Sequence, residues 1–368
     1  MAVRTKKSSH RPRAPQLVGA YTEPMGSLTE IPAPGGRTLR ATPVFETYWR
    51  FACARQEVFH KRAGGEAPPW TDDPILGGHR FTNAYRAADR VSQFLIRHVL
   101  YEGDQVEEEV FFRCLLFKIF NRVDTWEHLR GRVGDVSWRT YSFERYAGEL
   151  DRLLAAGQSI YSCAYIMPSP PFGNRRKHRN HLRLLEQMMA QRVPTQIAKS
   201  PSLERVFKLL LSYPSLGPFL AFQFAIDLNY SELCSFSEMD FVVAGPGARD
   251  GIRKCFADSA GLSDEDIIRV VTERATVDFA RLGLEFRDLW GRPLQLIDCQ
   301  NLFCEVDKYA RVAHPEYAGT SGRTRIKQRF APVVRPLPQW YPPKWRVEPE
   351  ALPTRTEARR AVQLSLTP

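Results

Sequence analysis

The sequence predicts a mainly α protein, one compact helical body held between basic, Pro-rich ends. Three observations predict it. Apolar residues recur at helical spacing over most of the chain from Thr82 to Val312. The segments between them carry Pro and Gly, which punctuate helices. Only Leu294–Ile297 reads as a short strand. With 368 residues and 43% hydrophobic residues, the chain can bury a large core.

Residues 1–42 read as a basic flexible arm, with Arg4, Lys6, Lys7, Arg11 and Arg13 among Pro, Gly and Ser. A Pro/Gly-rich loop is expected at 64–80. The helical body runs over 43–315. In it, 83–101, 106–120 and 143–154 carry helical spacing, and a Pro-rich loop follows at 167–174. Helices are expected at 177–191, 202–212 and 218–228. Another, capped by Ser263-Asp264-Glu265-Asp266, is expected to stop near Gly283, and a last one to run from Asn301 to Val312. Residues 316–368 form a basic, Pro-rich extension with Arg323, Arg325, Lys327 and Arg329.

Net charge is +11, which favours a polyanionic partner. The seven cysteines include no Cys-x-x-Cys pair, so zinc ribbons, iron–sulfur clusters and disulfide frameworks are not expected. Free thiols point to a cytoplasmic protein. No apolar run is long enough to span a membrane. His178 and His181 lack a third spaced ligand, so no metal site is expected. No cofactor and no obligatory protein partner are expected either.

Tyr213-Pro214-Ser215-Leu216-Gly217-Pro218 reads as a turn between two helices, with Gly217 expected to take positive φ and Pro218 to open the second helix. The amides of Ser215, Leu216 and Gly217 can face a DNA phosphate; the same residues also suit an ordinary packing corner. Arg175, Arg176, Lys177 and Arg179 form the densest basic cluster, either a phosphate contact or a solvated face. Glu238 and Asp240 precede Gly245-Pro246-Gly247, either a turn in which backbone can approach a ligand closely or a helix N-terminal turn beside solvated acids. Asn83, Arg86 and Asp89 crowd polar groups onto one segment, as an ion network or a phosphate clamp. Gln300 and Asn301 can hydrogen-bond a base edge, and Glu305 can pair with Lys308; the same segment also suits a purely structural helix start.

The hairpin resembles the helix-hairpin-helix turn of base-excision DNA glycosylases, keeping its Pro and last Gly but replacing the first Gly with Ser215. Asp240 lies slightly further downstream than the catalytic aspartate of that superfamily. The nucleophilic Lys of its bifunctional members is replaced here by Phe219. Four segments together, Phe81–Arg86, Phe112–Asn121, Asp240–Ala248 and Cys304–Tyr309, resemble the hydroxymethyluracil DNA kinase helical-domain family, also called the α-glutamyl/putrescinyl thymine pyrophosphorylase family, over about residues 45–315. The resemblance implies a helix-hairpin-helix DNA-glycosylase-like fold and a partner in double-stranded DNA carrying modified bases.

The resemblance implies two reactions. The preferred expectation is a monofunctional antiviral DNA glycosylase that flips and excises a bulky modified pyrimidine, for example glucosylated hydroxymethylcytosine. Asp240 would stabilise the developing cation, with Glu238 and Glu305 as the other candidate acids. The alternative is a hypermodification transferase replacing pyrophosphate on activated 5-hydroxymethyluracil with an amine or amino acid. A non-catalytic DNA-binding module also fits the charge. No Walker-type Gly-x-x-x-x-Gly-Lys-Ser/Thr occurs, which speaks against a P-loop kinase.

Overall fold

The computed structural model describes residues 29–332 and 337–349. Among them, fourteen α-helices surround one apolar core, and a single two-stranded sheet sits at the N-terminal side. The mainly α expectation holds. The first strands, β1 (Thr29–Ala33) and β2 (Arg37–Ala41), pair antiparallel across a Pro34-Gly35-Gly36 turn. Ile31, Leu39 and Ala41 point into the core. Residues 29–41 are thus a β-hairpin rather than an arm, because alternate side chains bury on one face; the arm's remaining residues lie outside the described ones.

Thr42 and Pro43 start α1 (Pro43–Ala63); the Thr42 hydroxyl accepts from Val44 N at 3.2 Å. Next come α2 (Pro74–Gly78) and α3 (Arg90–Phe94), the latter continued by a π-helical stretch, Leu95–Leu100. Between them lies an irregular loop, 79–89, where a helix was expected from residue 83. Its buried polar side chains take over the backbone's hydrogen bonds. Five helices follow: α4 (Glu107–Phe120), α5 (Val123–Val133), α6 (Phe143–Ala155), α7 (Lys177–Ala190) and α8 (Val193–Ala198).

The hairpin consists of α9 (Leu203–Leu211) and α10 (Pro218–Asn229). Its left-handed residue is Ser215 (φ 69°), while Gly217 is extended and caps α10. The expected role of Gly217 is therefore carried two positions earlier, by Ser215, because Pro218 holds the residue before it in extended backbone.

Four helices complete the body: α11 (Pro246–Cys255), α12 (Asp264–Glu273), α13 (Ala275–Arg281) and α14 (Leu296–Ala313). Ser263 and Asp266 close a capping box on α12. The helix expected to reach Gly283 breaks at Arg274. The break turns α13 so that Phe279 meets Trp49 at 4.7 Å and stacks on Phe286 at 4.5 Å. The expected strand at 294–297 is instead the start of α14, where Gln295 and Asp298 form a second capping box. Helix α11 lies directly on α14: a Cβ on Gly251 would stand 2.1 Å from the Phe303 carbonyl oxygen, and one on Gly247 3.2 Å from Cys304 Sγ. Gly247 therefore serves helix packing, not the approach of a ligand.

Residues 339–345 pack on the body. Tyr341 is buried, and Lys344 Nζ donates to the Cys234 carbonyl at 2.7 Å.

Candidate functional site

Loop 79–89 sets a chain of charged groups into the interior. On its outer side, Arg55 of α1 donates to Thr82 O (2.9 Å) and Asn83 Oδ1 (2.5 Å). Asn83 N donates to Asp89 Oδ1 at 2.8 Å, and its side-chain amide donates to Ala88 O. Glu305 of α14 accepts from Thr82 N at 2.9 Å and pairs with Lys308 at 2.8 Å. Lys308 lies over the Phe81 ring and keeps part of its surface exposed, so this end of the cluster opens toward solvent. Burial pushes the Asp89 carboxyl up to about 7, against the opposing pull of the Asn83 amide and Arg55.

On its inner side, Arg86 N donates to Asp298 Oδ1 at 2.8 Å. The Arg86 guanidinium reaches Gln223 Oε1 (2.9 Å), Asp227 Oδ1 (2.8 Å) and the Tyr230 hydroxyl (3.0 Å). Lys118 of α4 pairs with the other Asp227 oxygen at 3.0 Å. All three charged side chains are at least nine-tenths buried. Burial alone would raise the Asp227 carboxyl, but Arg86 and Lys118 hold it below its ordinary value. Two cations thus meet one carboxylate. The Tyr165 ring lies over Lys118 Nζ at 4.7 Å, and its hydroxyl donates to Gln223 at 3.3 Å.

A third group adjoins these. Glu238 is buried and pairs with Arg292 at 3.0 Å, and Arg292 stacks on Trp345 at 3.7 Å. Burial, with Glu238 nearby, raises Asp298 to about 7. Chemically, the assembly offers a carboxyl able to exchange a proton near neutrality, Asp89, and a buried surplus of positive charge facing Tyr165.

The expected residues divide accordingly. Asn83, Asp89, Glu305 and Lys308 come together through Arg55, and Arg86 stands on the opposite side of the same loop. Glu238 and Asp240 do not converge. Asp240 is exposed, and Arg269 holds its backbone carbonyl at 3.0 Å. Gln300 is buried beside Cys304, whereas Asn301 is half-buried. In the basic cluster, Asp151 binds both Arg176 and Arg179, and Lys177 packs over Tyr161. Arg175 is exposed. In the hairpin, Leu216 is buried and Gly217 exposed.

The sequence reading missed Arg55, Lys118, Gln223, Asp227, Tyr230, Arg292 and Asp298. A signal was present for three of them. Lys118 interrupts an apolar run, and Gln223 and Asp227 stand one turn apart in an otherwise apolar helix. Polar groups so placed must find partners inside. Among the described residues, no group of three or more His, Cys, Asp or Glu side chains is arranged to hold a metal ion. No helix among them is long and apolar enough to cross a membrane.

Residues 42–319 match the family described as "5-hmdU DNA kinase, helical domain". The chain belongs to this family. A relative from Bacillus phage SP10, named 5-hmdU DNA kinase, is 26% identical over 288 residues, covering 72% of this chain and 45% of the relative. The chain therefore matches less than half of that relative's length. No solved structure matches significantly. These findings overturn the expected DNA glycosylase. The family is described as the helical domain of a 5-hmdU DNA kinase, and the relative is named a kinase, a transferase rather than a hydrolase of N-glycosyl bonds. Base flipping for excision and the glycosylase role assigned to Asp240 fall with it.

Proposed function

We propose that this chain is a DNA-modifying transferase acting on 5-hydroxymethyluracil in DNA. In this reading an amine or amino acid displaces pyrophosphate from the activated hydroxymethyl group. The observation carrying it is the family match over 42–319, which encloses every charged residue of the cluster from Arg55 to Lys308. The charge distribution supports it: Arg86 and Lys118 exceed Asp227 by one positive charge, which suits an anionic leaving group. The amine nitrogen forms a bond to the methylene carbon as the carbon–oxygen bond breaks. Pyrophosphate departs with the bonding pair, and the amine's proton passes to Asp89. Phosphoryl transfer to the hydroxymethyl oxygen is a second reading, favoured by the relative's name alone.

The test offers the enzyme DNA carrying 5-hydroxymethyluracil, unmodified or pyrophosphorylated, with putrescine or glutamate, and with ATP in separate arms. Nucleosides released by digestion are then weighed by mass spectrometry. The expected product carries the amine, and Asp89→Asn should slow its formation roughly 100-fold or more. A gain of phosphate on the unactivated base would move the assignment to the second reading. Unchanged nucleosides in every arm would overturn both.

A further inference from the structure

One side chain of the 157–176 loop turns inward between exposed neighbours. Cys163, Ala164 and Ile166 face solvent, whereas Tyr165 reaches the charged cluster. Its ring stacks on Phe219 with centroids 5.9 Å apart and planes 25° apart. It covers Lys118 and donates to Gln223. Phe219 lies against Gly245, where any Cβ would meet its ring at 2.9 Å and the Gln300 Nε2 at 3.4 Å. Gln300 Nε2 and the Phe219 ring thus flank the same point beside Gly245. The Gln300 Nε2 reaches Cys304 Sγ at 3.2 Å, but its carbonyl oxygen is buried without a hydrogen-bond partner. An unpaired buried acceptor carries a cost that a donor would relieve.

A planar ring stacked on one aromatic, over a cation and against an amide, occupies the place a pyrimidine base would take. We propose that Tyr165 holds the place of a uracil-type base, which on binding displaces it, stacks on Phe219 and donates its N3–H to Gln300 Oε1. This rests on the transferase reading above and names the base subsite of that site. A cytosine ring has an acceptor at N3, so it leaves the Gln300 carbonyl unpaired and is disfavoured. A substituent on C5 of the bound base can then approach Lys118 and Arg86.

The test uses the full chain and fluorescent single-stranded oligonucleotides that differ at one position: 5-hydroxymethyluracil, 5-hydroxymethylcytosine or an abasic residue. Binding is followed by anisotropy. Wild type should prefer 5-hydroxymethyluracil over each of the others by about tenfold. Tyr165→Ala, at a half-buried loop position that folding can spare, should tighten binding of the base-bearing strand about three- to tenfold, and leave the abasic strand unchanged. Gln300→Met, which removes the acceptor at similar volume, should abolish discrimination between the two pyrimidines, with a thermal melt checking that it folds. Equal affinity for base and abasic strands, or an unchanged preference in both variants, would overturn the subsite. If the discrimination appears but no nucleoside is modified, the subsite stands and the transferase reading fails. If modification proceeds at wild-type rates in both variants, the transferase reading stands and the subsite fails.

Discussion

Asp227 and Asp298 show how differently one carboxyl type behaves in the same interior. Asp227 faces two cations, and its ionised form is favoured although it is fully buried. Asp298 faces Glu238 and accepts only backbone N–H bonds, so it rises to about 7, as Asp89 does for reasons of burial. The consequences for stability have opposite signs. For Asp89 and Asp298, the folded state holds a proton that the unfolded state has lost between the ordinary value of 3.8 and about 7. Stability from these two groups therefore falls as pH rises through that window, by at most about 1.4 kcal/mol per pH unit for each. Asp227 acts in the other direction, and its contribution disappears only in acid, below its ordinary value. Urea unfolding at a series of pH values between about 5 and 7 should show Asp298→Asn with a shallower pH slope than wild type. An identical slope would show that Asp298 is ionised throughout. Residue types were legible in the sequence, but these partnerships were not. Arg86 and Asp227 are far apart along the chain, and only packing sets one against the other.

Individual elements were legible wherever local chemistry decides them. Hairpin helices expected at 202–212 and 218–228 are α9 and α10 almost to the residue, because Pro218 and the apolar stripe act locally. Glycines were read less well, since their freedom can serve a turn, a ligand or a neighbouring helix. Gly251 serves a helix. With the Phe303 carbonyl only 2.1 Å from any added Cβ, Gly251→Ala must push α11 off α14. Such overpacking against backbone should cost about 3 kcal/mol or more in denaturant unfolding. Gly217→Ala is the internal control: its Cβ would meet nothing within 4 Å, its backbone is extended, and the cost should stay below about 1 kcal/mol. Equal losses at the two sites would refute the close-packing account.

At the scale of the molecule, the segments 29–41 and 337–349 take part in the fold more than composition suggests. The β-hairpin at 29–41 bridges to Phe256, and the segment around Trp340–Trp345 closes over the charged cluster. Trp345 covers Arg292 and meets Tyr230, and Trp340 N donates to Gln93. A chain truncated after residue 336 should melt on the order of 5 °C lower, with Trp290 more exposed to solvent. An unchanged melting temperature would mean that this segment only rests on the surface.

The sequence by itself determined the helical class, the hairpin and the helix caps. It also carried the family likeness, because each of these depends on residues close in the chain or on a motif read in order. Tertiary structure alone decided that Gly247 and Gly251 seat one helix on another, and that Glu238 and Asp240 part company. It alone gathered Arg55, Arg86, Lys118, Asp227 and Glu305 around loop 79–89. Buried charges choose their partners by proximity in space, and chain order does not record that proximity.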